Sequence, residues 1–365
     1  MAQSLDDITV IAPHFKRRLS GVTSTVIQLV PEQRRQGLGI LTLGPGLPGH
    51  LPKMRWAELP GLWKRPNATH ARVWHARRNN EMLVGLILRD LFRMPLKLLF
   101  TSAAQRHHSR YTRWLLSKMD GVVATNGKSG SFLKVPHRVI RHGVDLQLFH
   151  PSDELDRSLP EDLKGRHLVG CFGRVRHQKG TDLFVRAMIE LLPGNPEWTA
   201  VISGRITAEH TAFADKLKAD IAAAGLTDRI RFLGEVDDIK PWYRRLTLYV
   251  APSRNEGFGL TPLEAMASGT AVVASDAGAY AEMIIEGETG SVVPAGDFDR
   301  LRDAISTFLE PQKAMEAGRR GREHVEAAFG LEREADQLAD VYASLLGTTL
   351  PQASARPKPA TSGTV

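Results

Sequence analysis

Only one cysteine occurs among the 365 residues, Cys171, so no internal disulfide can form. It lies in an apolar run (167–172) that reads as a buried strand, where a thiol behaves as a small core group and suits a reducing cytoplasm. Long hydrophobic runs are missing too. The best candidate for a membrane span, 82–92, is interrupted by Arg89 and Asp90. Asp6 and Asp7 stand where a secretory signal would carry cations and then an apolar stretch, so no such signal is expected. Acidic residues are scarce at one end only. Residues 1–150 hold 23 Lys and Arg against 8 Asp and Glu, whereas the rest holds 25 against 32. Such asymmetry points the first half toward an anionic partner: nucleic acid, an anionic membrane surface or an acidic glycolipid.

The length allows two domains of ordinary size. Short β-branched and apolar runs alternate with amphipathic stretches throughout. Strands are expected at 8–12, 39–43, 71–75, 97–101 and 121–124, with helices at 22–36, 81–92 and 111–118. After an acidic, proline-containing linker (151–166), strands at 167–172, 198–204, 230–236, 246–251 and 271–274 alternate with helices at 181–192, 213–224 and 301–309. This rhythm predicts an α/β protein with parallel sheets covered on both faces. The expected domains are 1–150 and 167–328, followed by a terminal helix (329–347) and a Pro-, Ala- and Ser-rich tail from 348 that reads as disordered.

The densest chemistry lies in 246–275. A buried strand ends at Pro252, Gly257 and Gly259 allow close approach to the main chain, and Thr261-Pro262 reads as the N-cap and first position of a short helix. Backbone amides there suit an anion. Glu256 and Glu264 flank the same loop, and a carboxylate accepts hydrogen bonds from paired sugar hydroxyls. Acids around an anion site fit a ligand with diphosphate at its centre and sugars at both ends, a nucleotide-sugar. Glu264 also fits a capping box with Thr261, and that reading stays open. At the exit of the 167–172 strand, Arg174 and Lys179 stand on a loop bounded by Gly173 and Gly180; two cations converging there call for an anion between them.

Residues 256–264, Glu-Gly-Phe-Gly-Leu-Thr-Pro-Leu-Glu, resemble the E-x7-E signature of family 4 retaining glycosyltransferases. The resemblance implies the GT-B fold, two Rossmann-like domains facing a central cleft, with the last helix crossing back to the first domain. It gives Glu256 the donor sugar, the amides of Gly257, Phe258, Gly259 and Leu260 the diphosphate, and Glu264 the ribose. Arg174 and Lys179, beside Gly173, would grip the diphosphate, Val236 would seat the base, and Gly21 would approach the donor from the first domain. Relatives carry a histidine where this chain has Ala103, which leaves His107 or His108 to supply an imidazole; His142 replaces a usual asparagine. The order of the chain, including 74–82 and 100–108, is most similar to lipopolysaccharide inner-core mannosyltransferases. These imply GDP-mannose as donor and a Kdo-containing lipid A acceptor whose negative charge would meet the basic first half. Lys16, Arg17, Arg77, Arg78, Asn80 and His108 are the candidate acceptor contacts. Catalysis would rest on Arg174, Lys179, Glu256 and His107, without a protein nucleophile and without a metal. The Asp297-Phe298-Asp299 triplet precedes a helical pattern and reads as a cap rather than a metal site. The protein is expected in the cytoplasm, with peripheral contact to the anionic inner-membrane surface where apolar and cationic residues mix (82–100).

Other functional classes fit the same residues less well. A nucleic-acid binder would use the basic half, but no nucleic-acid motif is visible and the second half is acidic. A nicotinamide oxidoreductase would need a G-x-G-x-x-G after the first strand, where only Gly21 stands. A UDP- or ADP-sugar transferase, or an epimerase on the same fold, remains the nearer alternative.

Overall fold

The computed structural model describes residues 4–16, 21–152, 160–163 and 166–350. Its contacts divide the chain into two units, one built from residues up to Gly143 together with those from Leu331 onward, the other from Val144 to Gly330.

In unit 1 seven strands, β1 (Val10–Pro13), β2 (Ile40–Leu43), β3 (Lys53–Met54), β4 (Arg72–Ala76), β5 (Leu96–Ser102), β6 (Gly121–Ala124) and β7 (Arg138–Val139), form one sheet in the order 3-2-1-4-5-6-7. Every pairing is parallel: β1, for instance, sets Val10 beside Ile40 on one side and beside Val73 on the other. Parallel strands need both faces covered. The helix Gly21–Arg35 and the C-terminal helix Leu331–Leu346 cover one face, where Leu29, Val30, Leu338 and Tyr342 pack on Val10, Val73 and Leu99. The other face is covered by Trp56–Trp63, Asn79–Leu86 and Arg110–Leu116 through Leu62, Met82, Leu86 and Leu115. Arg72 is fully buried, and its guanidinium donates to the carbonyls of Ile8 (3.0 Å), Leu5 (2.9 Å), Leu62 and Lys64.

Unit 2 repeats the scheme. β8 (His167–Phe172), β9 (Trp198–Ser203), β10 (Ile230–Gly234), β11 (Leu248–Ala251), β12 (Ala271–Ser275) and β13 (Gly290–Val293) are parallel in the order 10-9-8-11-12-13. Both sheets reverse their winding beside the first strand of the unit, between β1 and β4 and between β8 and β11. In open α/β sheets, ligands bind at the carboxyl ends of the strands at this reversal.

Several expectations need correction. Val144 and Phe149 are buried in the core of unit 2, so the division falls at 143 rather than 150. The helix expected over 81–92 is α-helical only to Leu86 and continues as a π turn, Ile87–Leu91. Thr261 is not an N-cap: the turn at Gly259 already brings Leu260 into helical conformation, so that Leu260 takes the cap position of the helix Thr261–Ala267. The short strands β3 and β13 were not expected from the sequence. Asp297 caps the helix Phe298–Phe308 by accepting from the Arg300 N–H at 3.1 Å. The tail from 351 and the linker residues 153–159 and 164–165 lie outside the described residues. No helix among the described residues is long and apolar enough to cross a membrane.

Candidate active site

The reversal point of unit 2 is made by two loops, one leaving β8 and one leaving β11. A 3-10 turn, His177–Lys179, ends at Gly180 (φ +71°), and the helix Thr181–Leu191 follows. A Cβ on Gly180 would lie 1.9 Å from the Pro252 carbonyl oxygen, so the two loops touch main chain to main chain. Arg254 locks them: its N–H donates to the Gln178 carbonyl (2.9 Å) and its guanidinium to the His177 carbonyl (2.6 Å), while two parallel bonds of 2.7 Å reach Asp182. Such a planar fork fixes distance and orientation together. Gly180→Ala is therefore expected to lower the melting temperature by about 5 °C or more, from left-handed strain plus displacement of an oxygen that is backbone and cannot rotate away; scanning calorimetry reads this directly.

The locked loops bring Lys179 and Glu256 into an ion pair across 77 positions of sequence. About a fifth of each side chain is exposed. The second Glu256 oxygen accepts from the Gly257 N–H at 3.1 Å. Gly259 (φ +84°) lets the loop turn beneath it; a Cβ there would come 2.4 Å from the Tyr280 ring and 2.8 Å from Glu256 Cγ. Phe172, Gly173, Lys179, Ser253, Thr261 and Tyr280 line a small hollow at the same place. Arg174 is exposed nearby and makes no hydrogen bond or ion pair among the described residues. Its neighbour Arg176 has its pKa lowered, first by desolvation and then by the Arg174 charge.

Glu264, on the short helix, does not reach back to close a capping box; its Oε2 accepts from the Tyr243 hydroxyl at 3.0 Å. Desolvation pushes its carboxyl up to about 7, the Tyr243 bond working in the opposite direction. Burial likewise raises the Tyr243, Tyr249 and Tyr280 hydroxyls, so all three are neutral donors. The Cys171 thiol is pushed up to about 12 by burial and is inert. Val236 is half-buried just beyond β10. The reversal point thus brings Gly173, Arg174, Lys179, Glu256 and the 257–260 loop together. Sequence reasoning missed Tyr243, Arg254, Asp182 and Tyr280, because none stands in a spacing that marks chemistry; only the fold joins Arg254 to a residue 72 positions away.

At the reversal point of unit 1, Glu81 is completely buried. It accepts from the Arg77 N–H (2.8 Å), the Phe15 N–H (3.4 Å) and the Arg78 guanidinium (2.9 Å), which ties the loop after β1 to the loop after β4. Arg78 also donates to His14 Nδ1 at 3.0 Å. Burial, with Arg78 and Arg77 adding to it, lowers the His14 pKa to about 4, so the imidazole is neutral and its proton sits on Nε2, toward the Thr23 hydroxyl. Lys16 and Asn80 are exposed. Arg17 lies outside the described residues; Gly21 begins the helix Gly21–Arg35. Beyond β5, His107 is exposed with its ring edge-on to Phe132 (5.2 Å), and His108 is half-buried with its pKa lowered by desolvation. A buried imidazole does lie on β4: His75 bridges the Tyr342 and Thr101 hydroxyls at 2.7 Å each. His142 pairs with Glu334 of the C-terminal helix at 2.7 Å, and the Gly143 N–H reaches the same carboxylate at 2.8 Å.

Two parallel sheets that both reverse beside their first strand, one with a cationic and acidic loop pair at that point, define a GT-B glycosyltransferase. Solved structures share the fold: HepE from Anabaena, in complex with UDP and glucose, superimposes with a TM-score of 0.79 over 92% of this chain and 100% of its own at 20% identity. A sucrose-phosphate synthase from Thermosynechococcus elongatus does so with 0.75 over 93% and 99% at 23% identity. Residues 166–311 match the family described as Glycosyl transferases group 1. The chain is 68% identical to the lipopolysaccharide core biosynthesis mannosyltransferase LpcC of Rhizobium leguminosarum bv. viciae, over 93% of this chain and 97% of that one. It is 51% identical to LpsB of Rhizobium meliloti, which bears the same description, over 93% and 98%. The chain belongs to this family of group 1 glycosyltransferases.

Proposed function

We propose that the enzyme transfers mannose from GDP-mannose, with retention at the anomeric carbon, onto an anionic lipopolysaccharide-core acceptor of the Kdo-lipid A kind. The observation that carries this reading is the Lys179–Glu256 pair beside Arg174, held at the reversal point under a glycine-lined loop. Without ligand, each charge neutralises the other. A diphosphate between Arg174 and Lys179 offers the lysine a doubly charged partner, and Glu256 is released to accept hydrogen bonds from the donor sugar. Binding thereby arms both residues.

As the glycosidic bond breaks, negative charge builds on the leaving diphosphate. Arg174, Lys179 and the amides of 257–260 stabilise it where it forms, and this pair of cations takes the part a divalent ion plays in other transferases. Glu264 and Tyr243 receive the ribose, and the exit of β10 near Val236 receives the base. No side chain needs to form a covalent intermediate; a diphosphate oxygen accepts the acceptor proton. In unit 1, Arg77, Arg78, Lys16, Arg17, Asn80 and His108 meet the acceptor anion, with Glu81 holding Arg78 in place. His107 stands on the same loop as His108 and is the remaining candidate for a catalytic imidazole. A lipid A acceptor places the reaction at the cytoplasmic face of the inner membrane.

Thermal-shift titration against GDP-, UDP- and ADP-sugars, with chelator present, tests the donor. GDP-mannose should raise the melting temperature most; a larger shift with a UDP-sugar would overturn the donor assignment. Labelled mannose appearing on a lipid product, and not on an isomerised nucleotide, separates transfer from epimerisation.

A further inference from the structure

Large apolar side chains that remain exposed are distributed unevenly over the protein. Of the eleven among the described residues, seven lie in the single layer covering one face of the unit 1 sheet: Trp56, Trp63, Ile87, Leu91, Phe92, Tyr111 and Trp114. The chain has six tryptophans; the three exposed ones are all here, while Trp74, Trp198 and Trp242 are buried. The inner side of the layer is ordinary core, with Leu62, Met82, Leu88 and Leu115 against the sheet. Its outer side should therefore be polar, and it is not.

The exposed groups are held rigidly. Trp63 donates its indole N–H to the Phe92 carbonyl at 2.7 Å, with the two rings edge to face. Tyr111 and Trp114 stack at 6.3 Å. Arg89 ties the π turn to the end of the Arg110–Leu116 helix through the Lys118 carbonyl (3.1 Å) and Asp120 (2.8 Å). The backbone is irregular at the same tip. The widened turn Ile87–Leu91 rotates Leu91, 72% exposed, off the stripe that buries Leu88. Arg93 then closes the helix with φ +53°, the sole non-glycine residue in that region among those described, and the Met94 N–H returns to the Leu88 carbonyl.

Around these groups the charge left outside ion pairs is of one sign. Glu58, Asp90 and Asp120 are each held by an arginine, Arg55 or Arg89. Arg65, Arg93, Arg110, Arg113 and Lys118 are exposed and make no ion pair among the described residues. Fixed indoles and phenyl rings set among unpaired cations match a bilayer interface, where anionic headgroups lie beside an apolar boundary. A second copy would bring like charges face to face.

We propose that this outer face of unit 1 rests on an anionic lipid bilayer, with Trp63, Leu91, Phe92, Tyr111 and Trp114 entering the headgroup region. It deepens the reading above, in which the acceptor is a membrane glycolipid, and rests on it only for the choice of a lipid rather than a protein partner.

Sedimentation of the full chain with vesicles tests it. The protein should bind vesicles of phosphatidylglycerol and phosphatidylethanolamine at low salt, bind phosphatidylcholine vesicles weakly, and be released by high salt. The triple change Leu91→Ser, Phe92→Ser, Trp114→Ser should cut partitioning about tenfold or more. Arg93→Gln, Arg110→Gln, Arg113→Gln together should cut it about a hundredfold, at about fivefold for each arginine. Both variants should keep the wild-type melting temperature within a few degrees and keep transfer to a detergent-dispersed acceptor. Wild-type protein left in the supernatant with anionic vesicles, or an apolar triple variant that sediments like wild type, overturns the proposal. So does sedimentation velocity showing that the triple change dissolves a dimer while leaving vesicle binding intact. Failure of wild type to glycosylate the dispersed acceptor would instead overturn the proposed reaction, and the vesicle result would still be readable.

Discussion

Lys179→Ala is expected to lower kcat by about two to three orders of magnitude, the usual loss when one preorganised group facing a developing oxyanion is removed. The melting temperature should fall by no more than about 2–4 °C, because the Glu256 carboxylate left behind is partly exposed and water can replace the ammonium. Lys179→Arg tests the geometry. A guanidinium retains the charge but is longer and planar, and the hollow beside Gly173 and Thr261 is small. Recovery of the charge without the shape should restore only part of the rate. Stopped-flow single-turnover measurements separate this from slower product release. Near-wild-type turnover in Lys179→Ala would remove the leaving-group argument.

Nucleotide affinity should rise about tenfold between pH 6 and pH 8 and then level off. The cause is Glu264, whose carboxyl lies near 7 because burial disfavours its charged form. A ribose diol donates hydrogen bonds, so the ionised carboxylate is the better acceptor, and apparent affinity follows the fraction in that form. The stability of the free protein moves the other way. A carboxyl whose folded pKa exceeds its unfolded value holds its proton longer in the native state. This contribution is present below about 4.5, fades as pH rises through 7, and is gone above it. Glu264→Gln should flatten both profiles while weakening GDP binding at pH 8. Isothermal titration at several pH values in buffers of matched ionic strength checks the first, and thermal melts the second. A pH-independent affinity in the wild type would show that Glu264 does not meet the ribose.

The alternation of strand and helix was legible because parallel strands covered on both faces must be apolar throughout, as 167–172 and 271–274 are. The site loops were legible for a related reason: glycines and charges cluster where β8 and β11 end, at 173–180 and 254–259. What the sequence conceals is pairing at a distance. Nothing local tells that Lys179 and Glu256 neutralise each other, or that Arg254 and Asp182 bind the two loops. Thr261 was misread as a cap because Thr-Pro is a common helix opening, whereas it lines the same hollow as Tyr249 and Tyr280. β3 has only two residues and β13 opens on Gly-Ser, so neither shows an apolar run, and a π turn leaves the helical pattern of 81–92 almost unchanged.

The Leu331–Leu346 helix completes a sheet whose strands are all made in the first 143 residues. A nascent chain therefore emerges from the ribosome with Val10, Val73 and Leu99 lacking part of their cover until the last helix has been synthesised, whereas the intervening unit can close in the meantime. The protein should mature from the middle outward, and a premature stop near codon 330 would harm its beginning more than its centre.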